Sequence, residues 1–229
     1  GQEIAEDGAM IKIEHEKNAE WLKSLSPVAY PDALEAMESR VNAILDGSKP
    51  ELTWLLEHPS LYTAGTSAEE SEILDHTRFP IYQSGRGGRL TYHGPGQRVI
   101  YVMSDLRARG QDLHAHIHRL EEWIIQTIAP FGVKGERRSD RVGIWVVDPT
   151  TGRESKIAAI GVRVRKWVTS HGLALNVAPD LGAFSGIVPC GLGQYGVTSL
   201  KALGVSATMD EIDASFQSTY TDIFGSASR

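Results

Sequence analysis

The chain has 229 residues, 41% hydrophobic and 23% charged, with a formal net charge of −6. That balance excludes a fibrous or disordered chain and suits one large domain or two small ones with a sizeable core. No apolar run approaches the ~20 residues that span a bilayer. The polar, acidic stretch Gly1–Asp7 does not read as a secretory leader, and Cys190 is the single cysteine, so a reducing, cytoplasmic setting without membrane contact is expected.

Pro31 fits a first helical turn, and Leu34, Met37, Val41, Ile44 and Leu45 recur at helical spacing, predicting a helix over 31–45 that Gly47 ends. Leu52–Leu56 reads as a strand stopped at His58-Pro59, and Arg98–Met103 as another. Residues 112–129 carry Leu113, Ile117, Leu120, Ile124 and Ile128 on one face, ahead of Pro130. Val142–Val147 and Lys156–Val164 read as two arms of a hairpin around the turn at 148–152. Leu173–Val177 is a further strand, reached through Trp167–Gly172. A last helix spans 209–224, with Thr208 and Glu211 as a capping box. No repeat or linker divides the chain. Strands clustered in hairpins with helices between and after them predict an α+β fold, helices on a mixed or antiparallel sheet.

Charge is unevenly spread. Residues 1–82 carry 6 basic and 16 acidic side chains, residues 83–166 carry 15 and 8, and residues 167–229 carry 2 and 5. A basic middle reads as a site for an anion or an acidic partner, or as a set of solvated arginines. It lacks interleaved aromatic residues, so no nucleic-acid partner is expected.

Four segments have chemistry to offer. Ser84–Gln97 holds five glycines with Arg86 and Arg89, which suits a close backbone approach to an anionic ligand or a bare glycine-rich hairpin. It is neither a nucleotide-phosphate loop nor a dinucleotide fingerprint. Lys156 opens a small, apolar strand and is either solvated or turned into a site as a base. Gly172 and Ala174 leave room over their strand for an alkyl chain, or for a tightly packed helix. Cys190, between Pro189 and Gly191, suits a fixed nucleophile or a buried thiol. The histidines are scattered and no metal site is expected.

Taken together these segments resemble a known family. Arg86-Gly87-Gly88, Thr91-Tyr92-His93-Gly94-Pro95-Gly96-Gln97, Lys156–Gly161, His171–Asn176 and Ile187–Gly191 resemble the signatures of the lipoyl(octanoyl) transferases, in that family's order. The resemblance runs from about Trp21 to the final helix. It leaves residues 1–20 as an N-terminal extension and 21–229 as one catalytic domain. It implies the fold of the biotin and lipoate protein ligase superfamily, a mixed sheet flanked by helices. It implies transfer of an octanoyl group from octanoyl-acyl carrier protein to a specific lysine of lipoyl domains or of the glycine-cleavage H protein. It implies that neither ATP nor a metal is required. It also implies that Cys190 carries the acyl group as a thioester with Lys156 as its partner. Arg86, Gly87, Gly88, Arg89, Leu90, Thr91, Tyr92 and His93 would line the acyl site with Ala159, Ile160, Gly161, Gly172, Leu173 and Ala174. An ATP-dependent ligase of the same fold, a cysteine thioesterase and a non-catalytic carrier-binding module are the competing readings.

Overall fold

The computed structural model describes residues 10–13, 19–188 and 195–225; Cys190 lies outside the described residues. Strands β1 (Met10–Ile13) and β2 (Ala19–Ser24) lead into helix α1 (Tyr30–Leu45), which has Pro31 in its first turn. Strands β3 (Glu51–Leu56), β4 (Leu61–Ala64), β5 (Ile81–Gln83), β6 (Leu90–His93) and β7 (Gln97–Met103) precede α2 (Leu113–Ile128). Asp112 caps α2 by accepting from the Ala115 amide. Then follow β8 (Glu136–Arg138), β9 (Arg141–Val147), β10 (Glu154–Arg165), β11 (Val168–Asn176), β12 (Gly196–Val197) and α3 (Met209–Phe224). The Thr208–Glu211 box forms at the start of α3 as the sequence predicts.

The main sheet runs β1-β2-β3-β7-β11-β10-β9-β8, with β12 beside β10. It is mixed: β2–β3 and β10–β12 are parallel and the other pairs antiparallel. Helices α2 and α3 bury Trp123, Ile124 and Phe216 on one face against Trp21, Ile100 and Leu175. Helix α1 covers the other face, packing Met37 and Val41 against Trp54, Tyr101 and Ala174. This is the α+β arrangement expected. A second sheet, β5-β4-β6, was not anticipated and has its own core of Tyr62, Tyr92 and Phe184.

One local expectation needs correction, and two other segments carry structure that the sequence did not announce. Trp167–Gly172 is no connector: β11 starts at Val168, and Lys166 and Trp167 form the hairpin tip at φ 49° and 68°. Two successive positive φ angles match strand twist in a two-residue turn, and these residue types do not advertise it. The glycine-rich Ser84–Gln97 stretch contains β6, whose four residues are too few to declare a period. A boundary at residue 20 falls inside β2, and Met10–Ile13 of the N-terminal extension pair with it in the main sheet.

Candidate active site

Strand β10 has a neighbour on its β9 side for only part of its length. Pairing runs from Glu154↔Val147 to Lys156↔Trp145, shifts by one residue, and stops at Ala158↔Ile144. Such a bulge re-aims the side chains around it. Opposite it, Gly143 has φ 106°, and a Cβ there would stand 2.4 Å from Cε of Lys156 and 2.7 Å from the Ala158 carbonyl oxygen. The missing side chain therefore makes the seat of Lys156. The lysine is buried, with Nζ 5.9 Å from the Trp145 ring centroid.

Beyond Ala158 a cavity of about 540 Å³ opens along β10 and β11. Its mouth is formed by Asp140, Arg141 and the exposed Val142, with Leu113 and Ile117 of α2. Arg141 lies 4.4 Å from the Trp145 ring and 3.8 Å from that of Tyr195, and pairs with Glu154 at 2.5 Å. The floor is the small-residue strip predicted from sequence: Ala159, Ile160 and Gly161 in register with Ala174, Leu173 and Gly172. The reason for glycine differs from the one expected. A Cβ on Gly172 would meet the Ile100 carbonyl oxygen at 2.4 Å, so the close approach is between strands as much as to any ligand.

The opposite wall is the glycine-rich segment. Arg86, Gly87, Gly88, Arg89, Leu90, Thr91 and His93 all border the cavity. Tyr92 does not: strand alternation turns it to the second-sheet core, where its hydroxyl meets Ser60 at 2.9 Å and its ring meets Phe184. Leu90 joins that core while still reaching the wall. The two arginines do not stand ready for an anion. Arg86 donates to the carbonyls of Thr63, Gly87 and Arg89 and to the Thr63 hydroxyl, which ties the loop to β4. The Arg89 side chain is held by Glu72 at 3.0 Å, with Glu69 at 3.6 Å.

A buried polar chain backs the site. The Gln97 amide donates to the Tyr92 carbonyl and to Asn176 Oδ1, and Asn176 donates to the Thr198 carbonyl. Carbonyls only accept, so the Gln97 oxygen must face His93 at 2.7 Å, and His93 Nδ1 carries the hydrogen. Burial, then the neighbouring His58, holds the His93 pKa well below the ordinary imidazole value.

Sequence reasoning missed several wall residues. Tyr101 and His171 close the buried end, Gly143 seats the lysine, and Leu113, Ile117, Asp140, Arg141 and Val142 form the mouth. His171 stood inside a quoted motif, and its place one residue before Gly172 was the available hint. Among the described residues, no group of His, Asp and Glu could hold a metal ion, and no helix is long and apolar enough to cross a membrane.

The sequence profile of the lipoyl protein ligase A/B catalytic domain matches residues 29–221. An octanoyltransferase of Paramagnetospirillum magneticum is 61% identical over 206 residues, covering 90% of this chain and 97% of the relative. That of Caulobacter vibrioides is 55% identical over 207 residues, covering 90% and 92%. Among solved structures, a bipartite lipoate protein ligase studied with its E2 lipoyl domain from Thermoplasma acidophilum superposes with TM-score 0.66 at 16% identity, over 94% of this chain and 86% of that one. Lipoate-protein ligase A bound with ATP gives 0.62 at 17% identity, over 89% and 85%. These two share the fold, while the closer sequence relatives are transferases. The chain belongs to the lipoyl protein ligase A/B catalytic-domain family, within its octanoyltransferase branch.

Proposed function

We propose that this protein transfers an octanoyl group from octanoyl-acyl carrier protein to a lysine of lipoyl domains, including the glycine-cleavage H protein, through a thioester on Cys190. The observation that carries this reading is the buried lysine at the head of a small-residue groove. Around it, the segment that bears Cys190 leaves the described residues at Val188, whose amide donates to the Glu72 carbonyl. It re-enters at Tyr195, against Arg141 and Trp145, and Val197 then pairs with Lys156. Val188 thus meets the Glu72 that holds Arg89, and Tyr195 packs on Arg141, both arginines bordering the cavity.

In the first half-reaction Lys156 takes the Cys190 thiol proton, the thiolate attacks the donor thioester, the old C–S bond breaks, and the carrier sulfur leaves with that proton. In the second, the neutral acceptor amine attacks the acyl carbon and the new C–S bond breaks. Lys156 takes the amine's proton and returns it to the Cys190 sulfur. A thioester is exchanged for a thioester and then for an amide, a downhill sequence that needs neither ATP nor a metal. The work falls to one catalytic domain in the cytoplasm.

Incubation with octanoyl-acyl carrier protein alone, followed by intact mass measurement, should show one octanoyl adduct on the protein. Cys190→Ser should abolish it and cut transfer at least 100-fold. Full-rate transfer by that variant, or no adduct on the native protein, would refute the mechanism.

A further inference from the structure

The buried end of the cavity is polar, although an octanoyl chain ends in a methyl group. Tyr101, His171 and His93 line it, each 6% exposed or less. With His58 they form a continuous cluster: ring centroids are 5.5 Å apart for His58–His93, 5.7 Å for His58–Tyr101 and 5.6 Å for Tyr101–His171.

The hydrogen bonds already made at this end leave several acceptors without a donor. His58 Nδ1 faces the Val28 carbonyl at 2.6 Å and must donate to it, so its Nε2 accepts the Tyr101 hydroxyl hydrogen, also at 2.6 Å. The phenol oxygen keeps lone pairs and has no hydrogen left to give. His93 spends its N–H on Gln97 and keeps Nε2 as an acceptor. The ring of His171 has no hydrogen-bond partner among the described residues; only its backbone amide is engaged, by Met37 sulfur. Burial, then the Arg86 and Arg163 charges, pushes its pKa down to about 3, so the ring is neutral, with one donor and one acceptor. It is aimed into the cavity by φ of 60° in mid-strand, a conformation that costs on the order of 1–3 kcal/mol and persists only where surroundings enforce it. The buried end thus offers three acceptors and one donor. A group that both donates and accepts, an O–H, answers that set.

We propose that His171, Tyr101 and His93 form a subsite for one hydroxyl group at the far end of the acyl chain. An ω-hydroxylated medium-chain acyl group fills it with its own oxygen; under a plain octanoyl chain a water takes the place. The spacing fits. Asn176, beside Lys156, and Gly172, opposite Tyr101, are four residues apart on β11, roughly 13 Å at ~3.3 Å per residue, the reach of a medium-chain thioester.

The inference rests on the transferase reading, and one competition separates the two. Octanoyl and 8-hydroxyoctanoyl thioesters of the same carrier are mixed with enzyme and acceptor domain, and the two amide products are counted by mass. The product ratio gives relative kcat/KM, whatever fraction of a variant is folded. In each transfer the acyl C–S bond breaks, the amide C–N bond forms, and the amine proton ends on the released thiol. An apolar chain end rejects an added hydroxyl by about 100-fold; this one should discriminate by less than about tenfold. His171→Leu should swing the ratio about tenfold toward octanoyl, the worth of one hydrogen bond. His171→Asn tolerates positive φ, keeps a donor and an acceptor, and should hold the native ratio. Tyr101→Phe leaves the backbone alone and should move the ratio as His171→Leu does, so the test survives a misfolded His171→Leu. Native discrimination of about 100-fold or more, or a ratio unmoved by both Leu and Phe replacements, overturns the subsite. Failure of octanoyl transfer itself sinks the transferase reading, and the subsite with it.

Discussion

Lys156 owes its seat to an atom that is absent. Gly143 could accept a methyl group only by displacing the Lys156 side chain or the Ala158 carbonyl, and at φ 106° any side chain is strained. Gly143→Ala should therefore cost ~1–3 kcal/mol of stability by urea denaturation and lower kcat/KM for transfer by more than tenfold. A variant that loses stability but transfers at the native rate would show that the amine needs no such seat. The same residue marks the limit of sequence reading. Gly143 sits in a run, Val142–Val147, whose pattern says only strand. Its role depends on a bulge in a different strand, which no local signal announces.

Elements are held in place by contacts that local sequence cannot disclose. Arg98 of β7 makes a two-pronged pair with Asp213 of α3, at 2.8 and 2.9 Å, and Lys23 of β2 approaches the same carboxylate at 2.6 Å. Three elements meet on one buried acid. Asp213→Ala should destabilise the fold by ~3–5 kcal/mol, because Arg98 is left charged in the interior. A calorimetric cost below about 1 kcal/mol would show that α3 is held by its apolar face alone. Helix α3 itself was fully legible, since its cap, its acidic first turn and the Ile212, Phe216, Tyr220 stripe are all local. Asp213 was not, because its partner stands 115 residues away. The site divides the same way. Arg86–His93, Lys156 and the Gly161–Gly172 strip were found as motifs. Tyr101, Arg141 and Val142 read only as strand residues, and nothing but the third dimension joins them to the cavity.

At the scale of the whole molecule, the basic middle region is mostly spent internally. Arg137 pairs with Glu122, while Arg138 and Arg141 share Glu154. Lys134, Arg153, Arg163 and Lys166 remain exposed. Acid is a more general threat. His116 is fully buried with neither ring nitrogen bonded, and burial, then Arg119 and Arg109, lowers its pKa to about 3. Its unfolded counterpart titrates near ~6.5. The unfolded chain therefore binds the extra proton, and stability present above that value is lost as pH falls from about 6.5 toward 3. His58, with its pKa lowered to about 4 by burial, acts in the same direction. His116→Leu should raise Tm more at pH 5 than at pH 8. An equal change at both would assign acid sensitivity elsewhere.

Strand β12 has a consequence of another kind. It lies parallel to β10 at Ser155 and Lys156, although Val197 follows Lys156 by about 40 residues. The lysine strand therefore lacks one of its neighbours until most of the chain has left the ribosome. A nascent chain that stops short of Gly196 has α1, α2 and the strands from β1 to β11 but an unfinished edge beside the amine. Contacts closed over so long a loop form late and slowly. Of the named elements only α3 is made after the strand that completes the lysine's surroundings.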